Sequence, residues 1–201
     1  LLGILSSQKV GATVADDVTR KAFIAVIISL VVMFVYIAIR FRRWQYGVSS
    51  IVCLAHDTLL VIGMYSLFNN ILPFTMEVNQ SFIAAVLTII GYSINNTVVI
   101  FDRVRENVNL FPKKGWKERF NSANNSTLLR TINTSGTTIV VLLAIFIFGG
   151  ETIRGFVFAL LVGMLAGTFS SLFIASPLAY ALFKGKKYDE ELEQVADKKR
   201  K

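Results

Sequence analysis

Cysteine and histidine are almost missing: the 201 residues hold one of each, Cys53 and His56. A single cysteine excludes a disulfide framework, and one Cys with one His cannot complete a four-ligand zinc site, so neither a metal centre nor a cofactor is expected. Charge is scarce too, at 17% of residues, and acidic groups are outnumbered 13 to 21, leaving a net +8. A protein that reads nucleic-acid phosphates needs its basic residues along one folded face. Here they sit in short segments between long apolar runs, which points to membrane topology and away from nucleic acid. No Ser/His/Asp set with an oxyanion site, no phosphate loop and no redox motif is present, so catalysis on a substrate is not expected. The chain also lacks an initiating methionine and any signal-peptide pattern, and it reads as a fragment.

What the sequence has in abundance is apolar length, with 54% hydrophobic residues. Uncharged stretches run over Ala22–Ile39, Val78–Phe101, Thr131–Gly150 and Gly155–Phe183, each able to cross about 30 Å of hydrocarbon. A fifth, Gly47–Phe68, is interrupted only by His56 and Asp57. Backbone groups in lipid must be satisfied internally, and alternating ten-residue barrel segments are missing, so the expected class is all-α, a bundle of five transmembrane helices. Of the basic residues, 17 fall in segments on one side of this arrangement and 4 on the other, which makes the first side cytoplasmic. The N-terminus is then outside and the C-terminus inside. Trp44 and Tyr46 are expected as aromatic anchors at the inner interface. The short links around Pro73 and Gly149–Gly155 predict antiparallel neighbours. The polar Asn109–Leu129 segment, broken by Pro112 and Gly115, predicts a long connection with an interfacial helix at Trp116–Phe120, and the charged tail a solvated segment drawn weakly to membrane lipid.

Several polar positions interrupt the apolar spans. An ionised carboxylate in the middle of the second span costs several kcal/mol unless it is paired or protonated. Asp57 is therefore either a neutral hydrogen-bond donor or half of a pair with His56 or with a group on another helix. In the third span Thr88, Asn95 and Asp102 lie seven apart and share a face, with Tyr92, Asn96 and Arg103 on the adjoining strip. Such a stripe should be covered by protein rather than lipid. The fourth span opens at Arg130 with a polar run to Thr138. A cation near a helix N-terminus opposes the backbone dipole, so either an acidic partner such as Asp102 holds Arg130, or it anchors the span by reaching to the interface. In the last span Ala159, Gly163, Gly167, Ser171, Ala175 and Ala179 recur every four residues as a small-residue ridge for close helix packing. With 29 uncharged residues, about 43 Å if straight, that span must tilt, kink at Pro177 or project.

The run Gly91-Tyr92-Ser93-Ile94-Asn95, followed by Val98-Val99-Ile100-Phe101-Asp102-Arg103-Val104-Arg105-Glu106-Asn107, resembles the SecF family, including the SecF half of fused SecDF. Arg40-Phe41, His56-Asp57, Arg130-Thr131 through Thr134-Ser135, Phe148-Gly149-Gly150, Ser170-Ser171 and Ser176-Pro177 extend the likeness over Val10–Phe183. The resemblance implies a multi-pass accessory subunit of the bacterial Sec translocase in the inner membrane, of the RND superfamily. Its partners would be SecD, related by pseudo-two-fold symmetry, the SecYEG translocon and the exported polypeptide. It implies proton-driven movements that pull the polypeptide outward, and six spans of which this chain holds five. Residues 1–20 would be the end of a periplasmic domain with its linker, 21–184 the bundle and 185–201 the cytoplasmic tail. One departure stands out. Asn96 places an amide where the family has an intramembrane carboxyl working with an arginine that matches Arg130. An amide takes up no proton, so coupling would fall to Asp102, Asp57 or a carboxyl of the SecD half, or the position has been altered. A non-conducting structural subunit and a small-solute exporter of the same superfamily are the alternatives.

Overall fold

A computed structural model describes residues 12–68, 71–111 and 114–183, so Leu1–Gly11 and the basic tail from Lys184 lie outside the described residues, as does Pro112. Among the described residues every regular element is helical, and five helices are long and apolar enough to cross a membrane. The expected all-α bundle is what forms.

The first helix, α1, runs Ala12–Phe41 and ends where Arg42 takes φ 53°, the left-handed conformation that closes many helices. A non-glycine residue there costs about 1 kcal/mol. The reward is a two-residue reversal into α2, Trp44–Phe68. Gly47 lets the two helices close up, since a methyl on it would stand 2.9 Å from the Phe34 ring. The third helix, α3, spans Gln80–Leu110, capped by Asn79, whose Oδ1 accepts from the Phe82 amide at 3.1 Å. The link before it is packed rather than loose: Phe74 and Met76 are buried, with Phe74 edge-on to Phe146 and Phe158.

The fourth helix corrects an expectation. The polar stretch after Asn109 is not a long connection, because α3 continues to Leu110 and α4 runs unbroken over Trp116–Phe148 from a Gly115 N-cap. At 33 residues α4 is about 50 Å long and overshoots the hydrocarbon. Its first turn is tied to the end of α3 by the buried Arg119, whose Nε donates to the Phe111 carbonyl at 3.1 Å while Asn107 Nδ2 donates to the Arg119 carbonyl.

The last span divides into α5, Glu151–Ser170, a π-helical turn, Ser171–Ala175, and α6, Ser176–Leu182. Pro177 explains the division. Its ring would clash with the preceding turn and it has no N–H to donate, and widening that turn to π spacing absorbs both. The break thus precedes the proline. The small ridge is wholly buried. It lets α5 nest against α3: a methyl on Gly163 would overlap the Ile89 side chain, and one on Gly167 would sit 3.0 Å from Ser93 Cβ. With α2, α3 and α4 all packed on it, α5 is the centre of the bundle, and α1 lies at the rim against α2 and α3.

At the end carrying Arg40, Arg103 and Lys117, here the basic end, aromatic rings close the core. Tyr46 is buried between Phe101 at 4.7 Å, Phe183 at 4.9 Å and Phe41 at 5.2 Å. Only Trp44 of the expected anchor pair is exposed, because Tyr46 turns inward on α2.

Candidate functional site

Asp57 lies at the junction of three helices and is 1% exposed. Ser93 Oγ of α3 donates to its Oδ2 at 2.6 Å, and Ser170 Oγ, the last residue of α5, donates to the same oxygen at 2.8 Å. His56 Nδ1 stands 3.1 Å from the other oxygen, Oδ1, with its ring 40% exposed. The position is a consequence of the ridge. Gly167 has no side chain, so the α5 backbone comes near enough for Ser170 to reach a carboxyl on α2, and a methyl on Gly167 would lie 3.5 Å from Asp57 Oδ2. Of the alternatives left open by sequence, the carboxyl is held by groups on other helices as well as by His56.

One residue earlier on α3, Tyr92 Oη donates to Ser135 Oγ of α4 at 3.1 Å, and Thr168 Oγ1 of α5 donates to the same oxygen at 2.7 Å. Tyr92 with Ser93, and Thr168 with Ser170, are close in sequence and turn to opposite sides of the α3–α5 seam. A layer of hydrogen-bonded side chains therefore crosses the bundle at one level, from His56 and Asp57 through the serines to Ser135.

Asn96, one turn further toward the basic end, is 4% exposed beside the buried Thr97, and Thr131 and Ser135 are buried on α4. The Asn96 Nδ2 donor is buried without a hydrogen-bond partner. Arg130 is exposed and makes no ion pair or hydrogen bond to a described residue. It also lies deep inside α4 rather than at its N-terminus, so the dipole argument for an acidic neighbour does not apply. Asp102 is committed elsewhere: Arg40 of α1 approaches its Oδ1 at 3.2 Å, with both side chains more than 40% exposed. The expected Arg130–Asp102 pair does not form. An exposed pair such as Arg40–Asp102 contributes about 1 kcal/mol at most. Asn95 and Thr88 are exposed, so within this chain α4 covers the Tyr92–Asn96 strip and leaves the Thr88–Asn95 face open.

Sequence reasoning singled out Asp57, His56 and Asn96 but not the hydroxyls that hold Asp57. Ser170 was legible as a polar residue three positions beyond Gly167, on the flank of the small ridge, and Ser93 as a serine next to the Tyr92 strip. The Arg40–Asp102 partnership had no signal, because it depends on how α1 crosses α3.

Residues 2–185 match the family described as Protein export membrane protein SecD/SecF, C-terminal. The chain is 49% identical over 179 residues to Protein translocase subunit SecF of Rhodothermus marinus, which is 89% of this chain and 58% of that protein. It is 41% identical over 178 residues to Protein translocase subunit SecDF of Thermus thermophilus, 89% of this chain and 23% of that one. Its fold matches a crystal structure of SecDF in the super-membrane-facing form with a TM-score of 0.76 and 39% identity, over 93% of this chain and 24% of the other. The chain thus spans little more than half the length of the SecF relative, 58%.

Proposed function

Because this chain belongs to the SecD/SecF family of protein export membrane proteins, we propose that it is the membrane bundle of an accessory subunit of the Sec export machinery, using the proton-motive force to assist polypeptide translocation. The match over residues 2–185 is the observation that carries this reading. A fused SecDF among the relatives makes SecD a partner in the family. For this chain, the SecD half is the natural cover for the open Thr88–Asn95 face, with SecYEG and the exported polypeptide as further partners. The bundle, 21–184, sits in the bacterial inner membrane, the basic end facing the cytoplasm in keeping with the positive-inside rule. Residues 1–20 then lead in from a periplasmic domain, and 185–201 form a cytoplasmic tail.

The coupling layer is the one built around Asp57. A buried carboxyl whose neighbours are two hydroxyls and a part-exposed imidazole can exchange a proton through His56 and change its grip on α3 and α5 as it does so. A proton crossing 100 mV delivers about 2.3 kcal/mol, comparable to making or breaking one charge-assisted hydrogen bond. The work is positional and calls for no catalytic residue. Of the remaining polar positions, the exposed Asn95 and Arg130 are open to a partner, whereas Asn96 is buried and Asp102 is paired with Arg40 of the same chain. A non-conducting structural subunit is the second reading, favoured by the amide at Asn96, which carries no proton. The test is export of a secreted reporter in cells lacking their own SecD and SecF, supplied with the full-length protein and SecD. Export that rises with the proton gradient and collapses with an uncoupler supports coupling, and export indifferent to the gradient supports the structural subunit.

A further inference from the structure

The reversal between α1 and α2 consists of two residues, Arg42 and Arg43, both exposed at the basic end. Neither makes an ion pair or hydrogen bond to a described residue. No acid is left over for them either, because the carboxylates of the described residues at this end, Asp102, Glu106 and Glu118, are already paired with Arg40, Arg103 and Lys114. Arg42 moreover holds its φ of 53° at a position where a glycine would be unstrained. Two consecutive guanidiniums thus stand at the membrane surface without a counter-charge among the described residues.

An apolar groove begins beneath them. About 310 Å³ in volume, it is lined by Leu30, Val31 and Phe34 of α1 and Val48, Ile51 and Val52 of α2. No residue of α3 takes part, so the groove is separate from the open Thr88–Asn95 face. Its origin is local. Gly47 admits the Phe34 ring to the seam, and beyond that ring the valines are too short to fill the space between the helices. Phe34 and Leu30 lie eight and twelve residues before Arg42, and Val48 and Val52 five and nine after Arg43, so the groove runs from about 8 Å to about 18 Å below the turn. The headgroup layer of a bilayer is about 5–7 Å deep and half of its hydrocarbon about 15 Å. An acyl chain hung from a headgroup at the turn therefore passes the groove with its upper and middle carbons. Trp44, 56% exposed, shares one face of α2 with Val48 and Val52 at four-residue spacing and stands between the charges and the groove.

We propose that the α1–α2 seam at the basic end seats one phospholipid with an anionic headgroup of the phosphatidylglycerol class, its phosphate at Arg42 and Arg43 and one acyl chain in the groove. Charge separates this occupant from its main rival. A further transmembrane helix would also fill the groove, but the segment leaving such a helix on this side of the membrane is itself rich in Lys and Arg and would set like charge against the two arginines. A soluble anion would meet the arginines and leave the groove unused.

The experiment equilibrates the full-length protein in detergent with equal amounts of phosphatidylglycerol and phosphatidylcholine of the same acyl chains, and counts the retained lipid by native mass spectrometry. Retention should favour phosphatidylglycerol by roughly twentyfold, at about fivefold for each guanidinium. Arg43→Gln should cut that preference by about fivefold, and the Arg42→Gln, Arg43→Gln double variant should abolish it. Lys117→Gln removes one charge from the same end and should leave the preference unchanged. Val52→Trp fills the groove while keeping every charge, and the retained phosphatidylglycerol should be lost. Equal retention of the two lipids, an equal fall in Lys117→Gln and Arg43→Gln, undiminished retention in Val52→Trp, or release of the lipid on adding SecD would each overturn the proposal, the last by giving the groove to a helix of the partner.

Discussion

Asp57 and Asn96 are both buried polar side chains inside an apolar bundle, yet their surroundings differ in kind. Both oxygens of Asp57 have partners on the same chain, two serine hydroxyls and an imidazole, drawn from three helices. Asn96 sits against α4 with its amide donor unmet, one residue from the exposed Asn95. An unmet buried donor costs about 1–3 kcal/mol, a cost not usually left standing in a finished structure. The difference teaches which part of the bundle is complete in itself. The α2–α3–α5 junction around Asp57 is self-sufficient, whereas the α3–α4 seam keeps an enclosed, unmet donor at Asn96 beside the open Thr88–Asn95 face, for which a SecD half is the proposed occupant.

The sharpest break of this contrast is Asp57→Asn. An amide oxygen can still accept from Ser93 and Ser170, so the full-length protein should assemble and melt within a few degrees of wild type. Gradient-driven export should nevertheless fall to that of cells without the subunit. Next in size is Gly163→Val, which drives a branched side chain into Ile89 at the α3–α5 seam. Overpacking of this kind costs about 1–3 kcal/mol, read as a lowered midpoint of thermal aggregation in detergent, and export should fall in proportion to folded protein rather than beyond it.

Much of this contrast could be read from the chain before any fold was known. Charge-free lengths located four of the five spans and a run broken only by His56 and Asp57 the other, and four-residue spacing of Ala159, Gly163, Gly167, Ser171, Ala175 and Ala179 identified the face on which α3 rests. The expense of a carboxyl in lipid drew attention to Asp57. Partnerships that depend on how helices cross were out of reach. A helix starting at Arg130 would call for an acid beside it, but α4 already begins at Trp116, where Arg119 bonds to Asn107 and Phe111 at the end of α3. Asp102 meets Arg40 because α1 leans on α3 at the basic end, a crossing that no periodicity encodes. The π turn likewise escapes a sequence reading, since Pro177 announces a disturbance without saying how the preceding turn will relieve it.

Two smaller effects sharpen the comparison from the incomplete side. Asn96→Asp should strengthen the dependence of export on the proton gradient by severalfold, because a carboxyl there can pair with a nearby cation and release it on protonation. The gain should vanish in the Asn96→Asp, Arg130→Met double variant, measured by the same reporter across graded uncoupler. The smallest effect belongs to Asn95→Leu, which should change the stability of the isolated subunit by less than about 0.5 kcal/mol because the side chain is exposed. It should weaken co-purification with SecD if that half covers the Thr88–Asn95 face, and an unchanged yield would leave that face to lipid.

The most direct test of the account is a side-by-side export measurement in cells lacking their own SecD and SecF, with the full-length wild type and its Asp57→Asn variant each assembled with SecD and matched for folded amount. The account predicts gradient-dependent export with the wild type and none above background with Asp57→Asn. Equal, gradient-dependent export from both would contradict it, removing Asp57 from the coupling path and leaving the hydroxyl layer as a packing device alone.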